Sequence, residues 1–190
     1  MRVSRLYLDA ELQPQARLPL TKEQAHYALT VLRLKNGAQI EAFDGRGNLA
    51  FGHLEHTSRR SADFIIDKVI QDSKESPINT VLVQGISRGD RMDYSIQKAV
   101  ELGVTAIQPI FTERCEVKLP GEKLEKRRQQ WQSIVINACE QNGRNTVPTI
   151  LPIVSFQDWL KTQESNYCLV LDPYAKEGLA RLTQPSIDAP

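Results

Sequence analysis

The segment that decides the fold runs from Val81 to Ile110 and reads VLVQGISRGDRMDYSIQKAVELGVTAIQPI. It starts with a short apolar run that ends at Gly85, and a second β-rich run closes it. Between the two runs apolar residues recur with helical period, at Met92, Ile96, Ala99, Val100 and Gly103. Asp90 is the predicted cap of this helix, and Gly103 is its predicted end. The segment therefore predicts a strand–helix–strand crossover in a parallel sheet.

The polar face of this helix is the first candidate for a functional surface. Arg91, Ser95 and Lys98 share that face by their spacing, and Arg88 lies just before the helix, after the first strand. Ligands of open α/β sheets bind beyond the carboxyl ends of the strands, where Arg88 would lie. An ordinary solvated helix face has the same composition and is the alternative interpretation.

Composition and charge narrow the class of protein. The 190 residues are 41% hydrophobic and 25% charged, which is typical of a globular chain of one or two domains. The formal net charge is only +1, so the protein has no strong overall positive field. A polyanion would have to bind to a local basic patch. No signal peptide or membrane span is predicted. The cysteines and histidines lack metal-ligand spacing, so we expect reduced thiols, a cytoplasmic protein and no metal site.

The N-terminal part of the chain predicts a small β domain. Thr21 and Gln24 form a capping-box pattern for one helix, and DGRGN (44–48) is a hairpin turn between two strands. Several short strands joined by tight turns predict a β-barrel over residues 1–72. The polar segment 73–77 predicts a linker, and residues 78–190 an α/β domain.

The C-terminal domain carries two further groups of polar residues. A long helix is predicted over Glu122 to Asn142, with basic residues at its start that indicate either a solvated face or an RNA-backbone patch. At its end Gln141, Asn142 and Arg144 could read a base edge or hold a phosphate, or they could simply cap the helix. Strands are predicted over Thr149 to Val154 and Tyr167 to Leu171, with Ser155 capping a short helix between them.

Taken together, several segments resemble the RsmE family of bacterial ribosomal RNA methyltransferases. They are HYALTVLRLKNG (26–37), FDGRG (43–47), residues 90–109, ERC (113–115), EQNGRNTVP (140–148) and LDP (171–173). The resemblance implies an N-terminal PUA-like barrel and a C-terminal SPOUT domain, an α/β fold with a trefoil knot. It also implies homodimers in the cytoplasm that transfer a methyl group from S-adenosylmethionine to N3 of a uridine in 16S ribosomal RNA.

This chemistry suggests roles for particular residues. Cations and amides would stabilise a deprotonated uracil, and the base must leave its stack because N3 lies on the pairing edge. The expected RNA or uracil contacts in the α/β domain are Arg88, Arg91, Gln141, Asn142 and Arg144. From the barrel they are Arg5, His26 and Arg33, although His26 could equally be a core histidine. Leu171, Asp172 and Pro173 are expected to border the cofactor. No general base is predicted.

The sequence departs from the family at two segments. The Gly-Pro-Glu-Gly-Gly and Leu-Gly-x-x-Ile-Leu-Arg-x-Glu-Thr-Ala segments that build the knot are absent from these 190 residues. We therefore expect a truncated SPOUT domain that binds S-adenosylmethionine weakly and is inactive alone. Two alternatives are a non-catalytic RNA-binding protein and a dinucleotide-dependent enzyme. The second would need G-x-G-x-x-G after the first strand, but GISRGD (85–90) lacks the third glycine.

Overall fold

The computed structural model describes residues 3–115, 121–163, 167–172, 174–176, 178 and 181. One of its sheets has the strand order β1-β3-β4-β5-β2. Among the described residues the path ends at the three-residue strand β2, which pairs with β5. This sheet is the small β domain that the sequence predicts, and its closure into a barrel stays a prediction. The strands are β1 (Ser4–Tyr7), β2 (Arg17–Pro19), β3 (Gln39–Phe43), β4 (Asn48–Ser58) and β5 (Ser61–Gln71).

A short helix covers the core of this sheet. The predicted capping box is confirmed: Thr21 Oγ1 accepts from the Gln24 backbone N–H at 3.2 Å, and Gln24 Oε1 accepts from the Thr21 N–H at 2.9 Å. The helix α1 (Lys22–His26) continues as a single π-helical turn (Tyr27–Val31). The core beneath it is apolar because alternate strand residues point inward, and it includes Leu6, Ile40, Leu54, Phe64 and Ile66.

The second sheet confirms the predicted crossover. Strands β6 (Val81–Gly85) and β7 (Ala106–Phe111) pair in parallel, and helix α2 (Asp90–Glu101) connects them. Its apolar stripe is buried as the period predicts. The other elements are α3 (Glu122–Asn142), β8 (Thr149–Ile150), β9 (Val154–Ser155) and α4 (Phe156–Lys161), with β8 and β9 both parallel to β7.

The helix boundaries follow most of the predicted signals. Gly103 ends α2 in the left-handed conformation, with φ +95°, and the Ser155 hydroxyl caps α4 by accepting from the Asp158 N–H at 3.0 Å. The prediction for Asp90 is wrong by one position. Gly89 is the N-cap, and Asp90 is the first helical residue. There its carboxylate interacts favourably with the helix dipole but accepts no capping hydrogen bond.

Two strand predictions need correction. The segment predicted as one strand from Thr149 to Val154 forms β8 and β9, separated by a short extended stretch that contains Pro152. The strand predicted over Tyr167 to Leu171 is absent: those residues are exposed and pair with no described strand. A β-rich composition forms a strand only where a neighbouring strand supplies hydrogen bonds.

The two halves of the chain share a hydrophobic core. Phe43 and Leu49 from the first sheet pack with Met92 and Trp131 from the α/β half in one buried cluster. The segment predicted as a linker contains no helix or strand, yet its Glu75 is largely buried and bonded to the second half. The boundaries at residues 72 and 78 stay predictions.

Candidate functional site

A shallow pocket of about 340 Å³ lies beyond the carboxyl ends of β6 and β7. The loop after β6 forms one wall and the turn after β7 forms the other. The parallel pairing places these two loops side by side, because both strands end at the same edge of the sheet. The lining residues are Gly85, Ile86, Ser87, Arg88, Arg91, Thr112, Arg114 and Cys115.

The pocket is strongly cationic. Arg88, Arg91 and Arg114 line it, and all three arginines are exposed; among the described residues no carboxylate lines it. Within the described part of the chain, Arg91 and Arg114 form no ion pair. Guanidinium groups bind phosphates and carbonyl oxygens through paired N–H donors, so the pocket suits an anionic ligand.

Hydrogen bonds fix the walls of this pocket to the sheet. The Ile86 N–H extends the pairing of the strands by donating to the Ile110 carbonyl at 3.0 Å, and the Ile86 carbonyl accepts from the Cys115 thiol at 3.5 Å. The Cys115 N–H closes its own turn on the Thr112 carbonyl at 3.0 Å. The arginines therefore project from a backbone that packing and hydrogen bonding hold in place.

Arg144 does not join this pocket, so the predicted gathering of Arg88, Arg91 and Arg144 is wrong. Helix α3 follows β7 and leads into β8, so its C-terminal end and Arg144 lie at the amino ends of the strands. There the Arg144 Nη1 donates to the carbonyls of Val100 and Val104, at 2.8 and 3.0 Å. The residue is buried, which argues against an RNA contact.

The amides beside Arg144 also face local partners. The Asn142 side chain accepts from the Arg144 N–H at 2.9 Å, which is the helix-capping alternative raised by the sequence. Gln141 is exposed on the last turn of α3. Both residues lie at the opposite end of the sheet from the arginine pocket. Their role in RNA binding stays a prediction.

Arg5 lies largely buried where the two halves of the chain meet, rather than exposed to bind RNA. Its side chain is 10% exposed, and its Nη1 donates to Glu41 Oε2 at 3.0 Å. Its Nη2 donates to Asn145 Oδ1 at 2.8 Å and to the Arg144 carbonyl at 3.1 Å. These bonds connect β1 and β3 to the loop after α3. The expectation that Arg5 binds RNA is therefore not supported by its position.

A partly buried carboxyl group completes this junction. Glu140 Oε1 accepts from the Tyr7 N–H at 3.0 Å, and burial raises the pKa of this carboxyl above its ordinary value. The hydrogen bond and the nearby charge of Arg5 act in the opposite direction but do not outweigh burial. Close by, burial raises the pKa of the Cys139 thiol to about 11, so this cysteine is an inert packing residue.

The remaining predicted residues lie outside the pocket. His26 and Arg33 are exposed on the first sheet domain, so the alternative that His26 is a core histidine is wrong. Leu171 and Asp172 are exposed and do not line the pocket, and Pro173 lies outside the described residues. Two of the basic residues near the start of α3 form ion pairs, as on a solvated face: Arg128 with Glu125 at 2.6 Å, and Arg127 with Asp93 of α2 at 3.8 Å.

The sequence interpretation missed Arg114 as a site residue. It follows β7 by three positions, so the rule that selected Arg88 after β6 also selects Arg114 after β7. The pocket lining includes no histidine and no carboxylate, so it identifies no general base among the described residues. No group of three or more metal-ligating side chains occurs in the described part of the chain.

Comparison with known proteins defines the class to which this fold and pocket belong. A family model for an RNA methyltransferase domain matches residues 74–188, and one for an RNA methyltransferase PUA domain matches residues 20–67. Together they define a PUA-like domain joined to a SPOUT-type α/β methyltransferase domain, as the sequence predicts.

Individual relatives identify the family. Ribosomal RNA small subunit methyltransferase E of Buchnera aphidicola is 34% identical over 175 residues, which cover 92% of this chain and 71% of the relative. The Bacillus subtilis protein of that name is 32% identical and aligns with 80% of this chain and 59% of its own length. The chain therefore belongs to the ribosomal RNA small subunit methyltransferase E family.

A solved structure of this family supports the same relationship. The enzyme of Neisseria gonorrhoeae, crystallised with bound S-adenosyl methionine, is 41% identical and superposes with a TM-score of 0.91. The match covers 97% of this chain and 76% of that one. In the part of this chain that is described, no helix combines the length and apolar character needed to cross a membrane.

Proposed function

We propose that this protein transfers a methyl group from S-adenosylmethionine to N3 of a uridine in 16S ribosomal RNA. We further propose that it acts in the cytoplasm as a homodimer. Family membership supports the reaction class, and the Neisseria relative with its bound cofactor supports the methyl donor. The observation that carries the RNA-binding part is the pocket at the strand ends, whose described lining has three arginines.

The arginine pocket suits the substrate of this reaction. When N3 of uracil attacks a methyl group, the N3–C bond forms, the S–C bond breaks and the N3 proton leaves. Negative charge on the deprotonated ring spreads onto O2 and O4, where guanidinium donors would stabilise it. Arg88, Arg91 and Arg114 can provide such donors, or can hold the flanking phosphates while the base leaves its stack.

The same pocket does not suit the cofactor. S-adenosylmethionine supplies its methyl group on a positively charged sulfonium. The described lining offers that cation no carboxylate, although the methyl group must reach N3 at the edge of the pocket. The segment around Leu171 has a more suitable composition. Leu171 is 79% exposed and Val170 is 87% exposed, and they can cover an adenine ring. Asp172 adds a carboxylate that can pair with a cation. We therefore retain Leu171, Asp172 and Pro173 as proposed cofactor neighbours.

A methylation assay with position mapping tests the proposal. The protein is incubated with unmodified 16S ribosomal RNA or small subunits and radiolabelled S-adenosylmethionine, and reverse transcription then locates the product. A methyl group on N3 blocks the pairing edge, so we expect a transcription stop at one uridine. A radiolabelled methyl group on a uridine that causes no transcription stop would overturn the N3 assignment. RNA binding without transfer would favour the non-catalytic RNA-binding alternative.

Cofactor binding is measured separately. Methyl transfer requires that the protein bind S-adenosylmethionine. Calorimetric titration of the chain with S-adenosylmethionine measures this binding: a micromolar dissociation constant would support the proposed reaction and contradict the weak binding predicted from the sequence.

A further inference from the structure

Two of the segments that carry the family resemblance lie against each other, away from the arginine pocket. They are FDGRG (43–47), which contains the turn between β3 and β4, and EQNGRNTVP (140–148), which ends α3 and leads to β8. The turn at residues 44–48 contacts residues 145–147, and we call this contact the latch. It joins the first sheet domain to the α/β half, and the described lining of the pocket contains none of its residues.

Two backbone hydrogen bonds close the latch. The Val147 N–H donates to the Gly45 carbonyl at 3.0 Å, and the Gly47 N–H donates to the Asn145 carbonyl at 3.2 Å. Gly45 has a φ of +76°, and a β-carbon there would lie 3.1 Å from a Val147 methyl group. The two halves therefore approach closely at this point because the turn presents a glycine.

The Asn145 side chain lies at the centre of the latch. Asn145 is 1% exposed, and its Oδ1 accepts from Arg5 Nη2 at 2.8 Å. Its Nδ2 donates at 2.7 Å to the carbonyl of Asp72, the residue that follows β5. The Asp72 N–H donates in turn to the Gly47 carbonyl at 3.0 Å. An amide suits this position because a single side chain must both accept and donate.

The latch cannot open without exposing buried polar groups. On its other side the carboxylate of Asp44 is buried and accepts from the N–H groups of Arg46 and Asn48, at 2.8 and 3.1 Å, which holds the turn in shape. Separation of the halves would leave Asn145 and its partner Arg5 without these hydrogen bonds, and buried polar groups are costly to leave unpaired. The latch therefore fixes the orientation of one half relative to the other.

We propose that the latch sets the position of the first sheet domain relative to the arginine pocket, so that the protein selects folded RNA that contacts both halves. Asn145 is the positioning residue of this device. The inference rests on the proposed function, because the ligand is the same ribosomal RNA. A ligand held at two sites gains affinity from the second site according to how well the spacing of the sites matches its own. A rigid joint also lowers the entropy cost of ordering the two halves on binding.

Two RNA probes of different size test the role of Asn145 in filter-binding assays. Transcribed 16S ribosomal RNA can span both halves, whereas a short oligouridine reaches the arginine pocket alone. Asn145→Ala should bind the transcript about 10-fold more weakly and the oligouridine with unchanged affinity, because a loose joint lowers the effective concentration of the second contact. Ile66→Val, which shortens a side chain in the core of the first sheet domain, controls for lost stability and should bind both RNAs as the wild type does.

A disulfide across the latch separates positioning from direct contact. Arg46 and Thr146 face each other as an antiparallel pair, flanked by the two backbone bonds of the latch. The Cα atoms of such a pair lie about 4.5 Å apart, within the range that a disulfide spans. Arg46→Cys/Thr146→Cys in the Asn145→Ala background should recover affinity for the transcript when oxidised and lose it again when reduced. Cys139→Ala is included, because the Cys139 thiol lies 3.8 Å from the Thr146 carbonyl oxygen.

Three results would overturn the inference: unchanged affinity of Asn145→Ala for the transcript, an equal loss for both RNAs, or no recovery in the oxidised protein. A wild type that binds the transcript no more tightly than the oligouridine would do so as well. If Asn145→Ala does not fold, Asn145→Asp replaces it, since the carboxylate keeps the acceptor for Arg5 and loses the donation to Asp72. Failure of the proposed function appears differently, as the expected pattern of RNA binding without methyl transfer.

Discussion

Arg144 and Glu75 form a buried ion pair that ties the segment between the two halves to the end of α3. The Arg144 Nε donates to Glu75 Oε1 at 3.1 Å, and Nη2 pairs with the other oxygen of the same carboxylate. The remaining guanidinium nitrogen donates to the Val100 carbonyl near the end of α2 and to the Val104 carbonyl in the turn that follows it. Arg144 therefore joins three parts of the chain, and its chemistry is structural.

Arg144→Ala should lower the free energy of unfolding by about 3 kcal/mol, because it leaves the Glu75 carboxylate buried without a counter-charge. Urea denaturation measures this loss. The variant Arg144→Met/Glu75→Leu should recover part of it, since it removes both charges. A variant of wild-type stability that no longer binds RNA would instead restore the role that the sequence suggested for Arg144.

Arg114→Gln should weaken RNA binding and methyl transfer without changing stability. Its side chain is exposed in the arginine pocket, so its loss removes an anion contact and little packing. We expect the salt slope of RNA binding to fall by about 1 and the melting curve to stay the same. Lys161→Gln on α4 is the matched control. Equal methyl transfer by both variants would remove Arg114 from the site.

Glu140→Gln should change how stability depends on pH. Because burial raises the pKa of Glu140, the folded state holds this proton at pH values where the unfolded chain has released it. The Glu140 carboxyl therefore lowers the free energy of unfolding as pH rises from its pKa in the unfolded chain through its higher pKa in the folded protein. The glutamine keeps the oxygen that accepts from Tyr7 and cannot ionise. We expect it to be more stable than the wild type at pH 7 and equal at pH 3, in denaturation curves. The opposite order at pH 7 would show that the carboxylate stabilises the junction.

Gly52→Ala should destabilise the first sheet domain strongly. Gly52 lies at a register shift in β4, and a β-carbon there would lie 1.9 Å from the Ile65 carbonyl oxygen. The backbone must move to relieve this clash, so we expect a loss of about 3 kcal/mol. Gly85→Ala is the control, because its β-carbon would meet its nearest neighbour, a Thr112 methyl group, at 3.4 Å. Similar denaturation midpoints for the two variants would contradict this interpretation of the bulge.

Much of the fold could be predicted because its signals are local. The helical period of Met92, Ile96 and Val100 identified α2, and the glycine at position 103 marked its end. The capping box at Thr21 located the start of α1 in the same way. The strand expected near Leu169 depends on partners distant in sequence, and that prediction failed.

The candidate site shows the same division. Arg88 follows a strand directly, so the carboxyl-edge rule was enough to place it, and Arg91 follows one turn later. Arg144 has the same chemistry and a plausible loop position. Only the direction in which α3 crosses the sheet decides that it lies at the opposite edge, buried against Glu75.

The sequence by itself determined the crossover unit, the helix ends and the family to which the chain belongs. These follow from the period of apolar residues and from short motifs, which act over a few residues. The tertiary structure alone decided which cations meet and which are buried, because that depends on strand order and helix direction. It separated exposed arginines that can bind RNA from Arg5 and Arg144, which hold the two halves together.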